Sequence, residues 1–184
     1  MLYIAKAWNH RMPNGPPAMV PMIPVAEQLS FIGRLKSIRA KMPYVLVRDF
    51  IYTGKNGVSF MVPRGFCTDF GSTPRILWPF GLEPTGILMT CSLIHDFGYR
   101  HDFYLTPKKT MILKGKGRKF HDKIFKMVFE EMIKIKILPL LSYIGLRLFG
   151  WYAWACNKKY RTGNLALKGE YYKLYKAQGF GGTK

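Results

Sequence analysis

Residues 90–104, TCSLIHDFGYRHDFY, bring histidine, aspartate and tyrosine side chains together in one short segment. His95 and Tyr99 are four residues apart and would share one face of a helix, whereas Asp96 lies about 100° round that helix. The apolar residues that precede His95 predict a partly buried helix whose polar atoms need partners. Such a helix would present a general base on one face and a carboxylate ligand on another.

The same pair also has a plain structural interpretation. A buried histidine beside an aspartate is more often a hydrogen-bonded feature of a core helix than a catalytic centre, because buried polar groups are nearly always paired. The dipeptide formed by His95 and Asp96 therefore does not decide between chemistry and packing. Both hypotheses stay open at this point.

Composition narrows the class of protein. The chain has 184 residues, of which 48% are hydrophobic, so it is long enough to bury a core. Its 29 lysines and arginines against 10 aspartates and glutamates give a net charge of +19, which favours anionic partners, either an anionic phospholipid membrane or nucleic acid. Three cysteines without a CxxC spacing indicate neither a disulfide framework nor a zinc knuckle. No continuous apolar stretch precedes Pro13, so we expect no signal peptide.

The chain divides into an arm, one domain and a tail. Residues 1–24 hold five prolines, which is typical of an extended arm. We expect a single, mainly helical domain over residues 25–160 and a basic, tyrosine-rich tail over residues 161–184. The lysines and tyrosines of the tail suit stacking on bases or a membrane interface, and equally a tail docked on the domain.

Periodicity predicts the first elements of the domain. Apolar residues recur at three-residue spacing over residues 25–41 with basic residues between them, which predicts a basic amphipathic helix that packs on the core or lies on a membrane. Alternating residues with β-branched or aromatic side chains predict strands over 44–52 and 58–62, and the turn at 53–57, with Gly54 and Gly57, joins them into a β-hairpin. A glycine-containing loop over 64–74 follows, where backbone would approach a ligand closely.

Two more helices are predicted after the central segment. Residues 106–118 are interpreted as a solvated basic excursion, and a helix then runs over residues 118–135 with Asp122 in its first turns. Residues 137–156 form a nearly continuous apolar run that contains Arg147. A central arginine costs about 2.5 to 3.5 kcal/mol on insertion scales, which favours a buried or interfacial helix over a membrane span.

The segment HDFGYRH, preceded by the loop DFGSTP at residues 69–74 and followed by a helix with an internal aspartate, resembles the phospholipase A2 superfamily, in particular its compact bacterial, fungal and parvoviral members. The resemblance implies a mainly α fold with a small β-hairpin, in which a pair of antiparallel helices carries the site. Residues 62–150 also resemble a phage-associated family of uncharacterised proteins, which supplies no function.

The resemblance assigns roles to specific residues. His95 would activate water, Asp122 on the second helix would orient His95, and Tyr99 would support that contact. Bound Ca²⁺ would stabilise the developing oxyanion, and its ligands would be Asp96, Asp69, Phe70 and Gly71. A base with a pKa near neutrality and a divalent cation are together sufficient for ester hydrolysis.

Three functions fit the sequence. The favoured one is a calcium-dependent, phospholipase A2-like lipid esterase of phage type, used on host membrane in entry or lysis and located in the host cytoplasm or virion, peripheral at the membrane. The alternative is a non-catalytic virion or assembly protein whose basic surface binds nucleic acid or other virion proteins. A metal-dependent phosphohydrolase is third, because only His10, His101 and His121 remain to complete its ligand set.

Overall fold

The computed structural model describes four stretches of the chain: residues 11–21, 44–68, 86–133 and 136–160. Several sequence predictions fall outside them. These are the amphipathic helix over 25–41, the predicted calcium-loop residues Asp69, Phe70 and Gly71, and the tail over 161–184.

The site is carried by helices. The described residues contain α1 (Gly86–His101), α2 (Arg118–Ile133) and α3 (Ile137–Cys156). α1 is the central helix, because it contacts both other helices as well as strands and is buried along nearly its whole length. α2 buries one face at the three- and four-residue spacing of an amphipathic helix.

α3 differs from the other two helices in its exposure. Of its 20 residues, only Pro139 and Gly150 are fully buried, although the sequence is largely apolar and Arg147 is its one charged residue. A 3-10 turn (Asn157–Tyr160) follows it directly. Among the described residues, no helix has both the length and the apolar character needed to cross a membrane.

Seven short strands form two antiparallel sheets within the described residues. The first sheet has the order β1-β2-β5, from β1 (Met19–Pro21), β2 (Tyr44–Leu46) and β5 (Cys67–Thr68). The second has the order β3-β4-β6-β7, from β3 (Phe50–Thr53), β4 (Ser59–Val62), β6 (Tyr104–Leu105) and β7 (Met111–Ile112). β3 and β4 form a hairpin in which Phe50 pairs with Val62 and Thr53 with Ser59.

The predicted fold class, mainly α with a small β-hairpin, is wrong, since three helices pack with two antiparallel sheets. The hairpin is half of a four-stranded sheet. The chain bends at Val47 and Arg48, so a strand predicted as continuous over 44–52 splits into β2 and β3, which belong to different sheets. β5, β6 and β7 have two residues each, which is too short for alternation to be recognised.

Candidate active site

His95 and Asp122 are in contact where α1 packs on α2. The Nε2 atom of His95 lies 3.2 Å from Oδ1 of Asp122, and the two residues are 5% and 0% exposed. The apolar faces of the two helices bring them together, because α2 buries the side of its first turns that carries Asp122. The contact between these residues that the resemblance implies is present, and the catalytic role that it assigns to them stays a prediction.

The Asp122 carboxylate has two further partners. Tyr99 lies one turn after His95 on α1, and its hydroxyl donates a hydrogen bond to Oδ1 of Asp122. Arg147 of α3 donates from Nη1 to Oδ2 at 2.8 Å. Gly150 permits this close approach of α3, since a Cβ at that position would lie 2.6 Å from the Tyr99 hydroxyl oxygen. All three helices therefore meet at one buried carboxylate.

The sequence predicts only that Arg147 disfavours a membrane span, and its place in this cluster is not predicted. A lone arginine in an apolar helix is nevertheless a signal, because a cation there needs a carboxylate partner. The backbone around it is also held. Arg118 of α2 donates from Nη1 to the carbonyl oxygens of Leu146 and Arg147, at 3.0 and 3.2 Å.

These contacts set the protonation of the pair. Burial raises the pKa of Asp122, but hydrogen bonds from His95, Tyr99 and Arg147 outweigh burial and hold that pKa below its usual value. Burial lowers the pKa of His95, but the carboxylates of Asp122 and Asp96 outweigh it and raise that pKa above 6.5. An ionised carboxylate only accepts, so Nε2 of His95 carries the hydrogen and donates it to Asp122. In the neutral imidazole the lone pair then lies on Nδ1.

The Nδ1 side of His95 faces Asp96. Nδ1 lies 3.7 Å from Oδ1 of Asp96, which is an ion-pair distance and too long for a hydrogen bond. The hydroxyl of Thr68, the last residue of β5, donates to Oδ2 of Asp96. Arg100 holds β5 against α1 by donating from Nη1 to the Cys67 carbonyl oxygen at 2.7 Å. The Asp96 side chain is 20% exposed, so the cluster reaches the surface on this side.

A second histidine–aspartate pair lies beside the first, with His121 one residue before Asp122 on α2 and Asp102 directly after α1. Nε2 of His121 is 2.9 Å from Oδ1 of Asp102, and Nδ1 of His121 is 3.0 Å from the hydroxyl of Tyr104. Burial lowers the pKa of His121, and the carboxylate of Asp102 compensates only in part. Gly98 makes room for this pair on α1, because a Cβ there would lie 2.5 Å from both His121 Nδ1 and the Tyr104 hydroxyl oxygen.

The structure bears on the metal predictions only through Asp96. Within the described part of the chain, no group of three or more histidine, cysteine, aspartate and glutamate side chains is placed to hold a metal ion. Calcium takes six to eight oxygen ligands, so the single carboxylate of Asp96 does not by itself fit the ion. The other predicted ligands, Asp69, Phe70 and Gly71, lie outside the described residues, and calcium binding stays a prediction.

His101, one of the histidines weighed for a phosphohydrolase, lies in an aromatic environment. Its ring lies in tilted contact with those of Phe97, Phe103 and Phe66, at centroid distances of 4.7, 5.5 and 6.1 Å. Burial, together with the charge of Arg100, lowers the pKa of His101 to about 4. This histidine is therefore a neutral core residue at physiological pH.

The fold and the geometry together define an α+β domain with a buried histidine–aspartate cluster. Residues 44–145 match a family described as protein of unknown function (DUF1353), and this match covers more than half of the chain. The chain therefore belongs to that family. No curated protein and no solved structure matches it. The predicted membership of the phospholipase A2 superfamily is wrong, because the family match is to DUF1353 and nothing found links the chain to phospholipases.

Proposed function

We propose that the protein is a hydrolase in which His95 acts as general base on a water molecule that attacks a carboxylic ester of a phospholipid. The observation that carries the proposal is the unequal use of the two imidazole nitrogens of His95. Nε2 is committed to a buried, ionised Asp122, and Nδ1 carries the lone pair and faces the partly exposed Asp96. A base needs a lone pair and a fixed tautomer, and this cluster supplies both. His95 itself is buried, and the 20% exposed side chain of Asp96 beside Nδ1 is where the cluster comes nearest to solvent.

The proton follows a closed path in this mechanism. Nδ1 of His95 takes a proton from water as the water oxygen bonds to the ester carbonyl carbon, which gives a tetrahedral intermediate. The intermediate collapses to the fatty acid as the bond to the alcohol oxygen breaks. The imidazolium then returns its proton from Nδ1 to the departing alkoxide. Asp122 stabilises the imidazolium, and Tyr99 and Arg147 keep Asp122 ionised and in place.

The choice of a phospholipid ester rests on the charge and the surface of the molecule. A net charge of +19 favours a substrate presented on an anionic surface. α3, which carries Arg147 into the cluster, is apolar and exposed along one side, so the site adjoins a surface compatible with lipid. The proposal entails a protein that works at a membrane. Calcium at Asp96 is a further prediction, and none of the proton transfers above depends on it.

The experiment that tests this proposal measures fatty acid released from vesicles of phosphatidylglycerol and phosphatidylcholine. One arm contains millimolar calcium and the other contains a chelator, and Asp96→Asn is assayed in both. We expect release by the parent protein, and a loss with the chelator or in Asp96→Asn if the cation prediction is right. Activity that is equal in both arms would remove calcium from the account and leave the role of His95 intact.

One outcome would overturn the proposal itself. Parent protein that is folded and calcium-replete, yet releases no fatty acid from vesicles of several headgroups, is not this hydrolase. The non-catalytic alternative, a virion or assembly protein in which the helix pair is a scaffold, would then take its place.

A further inference from the structure

α3 exposes a continuous apolar stripe that is turned away from the buried contact of Gly150 with Tyr99. We call this stripe the outer face of α3, and it consists of Ile137, Leu140, Leu141, Ile144, Leu148, Trp151 and Tyr152. Each of these side chains is exposed, from 41% for Leu140 to 66% for Tyr152. Folded proteins rarely leave so many large apolar side chains exposed side by side, so a contiguous patch of this kind marks an interaction site.

The stripe has the geometry of a docking surface. At 3.6 residues per turn its members fall within about 120° of the helix circumference, and from Ile137 to Tyr152 they extend over about 23 Å at 1.5 Å per residue. The other sides of α3 are occupied, because Gly150 packs against Tyr99 on the buried side and Arg147, at the edge of the stripe, reaches Asp122. An ordinary amphipathic helix buries its apolar side chains, whereas α3 directs Arg147 to the buried Asp122 and leaves its apolar stripe exposed.

Charge indicates what covers this face. The only charged residue of α3 is Arg147, which is turned to Asp122, and exposed lysines stand at both ends of the helix, Lys136 before it and Lys158 after it. Two copies of a chain with net charge +19 repel each other, whereas an anionic surface attracts it. Trp151 and Tyr152 at the carboxyl-terminal end are residue types that favour the boundary between headgroups and acyl chains.

We propose that the outer face of α3 docks on an anionic lipid bilayer, with the helix axis in the plane of the membrane and the apolar stripe inserted among the acyl chains. The inference deepens the proposed function, on which it rests for the identity of the substrate. α3 also carries Arg147, so docking places the cluster of His95 and Asp122 directly behind the membrane-bound helix. Membrane binding can be tested separately from hydrolysis, because the hydrogen-bond partners given for Asp122 are His95, Tyr99 and Arg147, none of which belongs to the stripe.

The test uses binding without turnover. Protein that carries His95→Gln is sedimented with vesicles of equal parts phosphatidylglycerol and phosphatidylcholine, and with vesicles of phosphatidylcholine alone. Leu148→Glu is added in one variant, and Met111→Glu is the matched control, since Met111 is an equally large exposed apolar residue on β7 and the charge change is the same. Leu148 and Met111 are 60% and 49% exposed, so neither substitution opens a cavity.

We expect binding to the anionic vesicles and a partition constant about 10- to 100-fold lower for Leu148→Glu, the cost of not burying one leucine. The control should bind nearly as well as the His95→Gln background. Equal binding by the two glutamate variants would mean that charge alone holds the protein and would overturn the inference. No vesicle binding, with a dimer in sedimentation equilibrium that Leu148→Glu dissociates, would assign the face to a second copy instead. Both results are independent of whether the parent protein hydrolyses lipid.

Discussion

The two histidine–aspartate pairs of this protein are built from the same side chains at nearly the same distance, 3.2 Å for His95 with Asp122 and 2.9 Å for His121 with Asp102. They differ in what surrounds them. His121 uses both ring nitrogens, one toward Asp102 and one toward Tyr104, and is fully buried. His95 uses Nε2 for a hydrogen bond and leaves Nδ1 beside the partly exposed Asp96.

The carboxylates differ as well. Asp122 is 0% exposed and gathers donors from three helix residues, whereas Asp102 follows α1 in a left-handed conformation with φ of 56° and organises the next turn. Its carbonyl oxygen accepts from the Gly115 N–H at 2.8 Å, and Oδ1 accepts from the Gly117 N–H at 3.0 Å. What distinguishes the two pairs is therefore the second ring nitrogen of each histidine, which is hydrogen-bonded in His121 and carries a lone pair beside Asp96 in His95. The proposed chemistry accordingly falls on His95, and we propose a structural role for His121.

The largest stability effect should come from Asp122. Asp122→Asn leaves Arg147 and Tyr99 without the carboxylate they bind, so we expect the free energy of unfolding to fall by about 3 kcal/mol, near the low end for a broken buried pair because the Arg147 side chain is 31% exposed. Asp102→Asn should cost about 1 kcal/mol, because that side chain is 23% exposed. Urea denaturation of both variants measures the difference. Equal losses would contradict the view that Asp122 is the more deeply committed carboxylate.

A smaller effect should follow from a methyl group at Gly98. Gly98→Ala places a carbon 2.5 Å from His121 Nδ1 and from the Tyr104 hydroxyl oxygen, so both side chains must move. We expect a loss of about 1 to 3 kcal/mol from overpacking, reduced by up to about 1 kcal/mol because alanine favours the helix. Chemical denaturation gives this value, and the NMR signals of the His95 ring serve as the control. Those signals should stay in place, and a shift of His95 as large as that of His121 would show that the two pairs are not separate.

The smallest effect, and a distinguishing one, is the dependence on pH. An NMR titration should give a pKa above 6.5 for His95, where the carboxylates of Asp122 and Asp96 outweigh burial, and a pKa below 6.5 for His121, where burial dominates. Between pH 6.5 and its folded pKa, His95 is mostly protonated in the folded protein and mostly neutral in the unfolded chain. Its contribution to stability is therefore complete below pH 6.5 and is lost as pH rises through the folded pKa.

His121 acts in the opposite sense. The unfolded chain takes up a proton at His121 below pH 6.5 while the folded protein does not, so this group costs stability as pH falls from 6.5 toward its folded pKa. Unfolding of His121→Gln compared with the parent across this range isolates the effect. The proposed general base is neutral His95, so the proposal predicts a hydrolysis rate that rises with pH, with a midpoint above 6.5. A pKa of His95 below that of His121 would reverse the assignment of the two pairs.

Helical spacing is enough to predict that His95 and Tyr99 share one face of a helix, because residues four apart are neighbours on its surface. The contact of His95 with Asp122 is predicted only through the resemblance to the phospholipase A2 superfamily; the contact is present although that family membership is wrong. The sequence pattern was not enough for the sheets. β6 and β7 lie in stretches without alternation, and residues 106–118 were interpreted as a solvated excursion although β7 pairs there with β6. The sequence does not predict the contact of Arg147 with Asp122, because the two residues are distant in sequence and meet only through the tertiary packing of α3 on α2.

The most direct test of the central claim compares one substitution in each pair. Fatty acid release from anionic phospholipid vesicles is measured for the parent protein, His95→Gln and His121→Gln, and each rate is divided by the folded fraction from circular dichroism. The account predicts that His95→Gln lowers the rate by about 100- to 10,000-fold, the usual loss of a general base, while folded His121→Gln keeps a rate close to that of the parent. An active parent protein whose rate survives His95→Gln but falls by this amount in His121→Gln would contradict it.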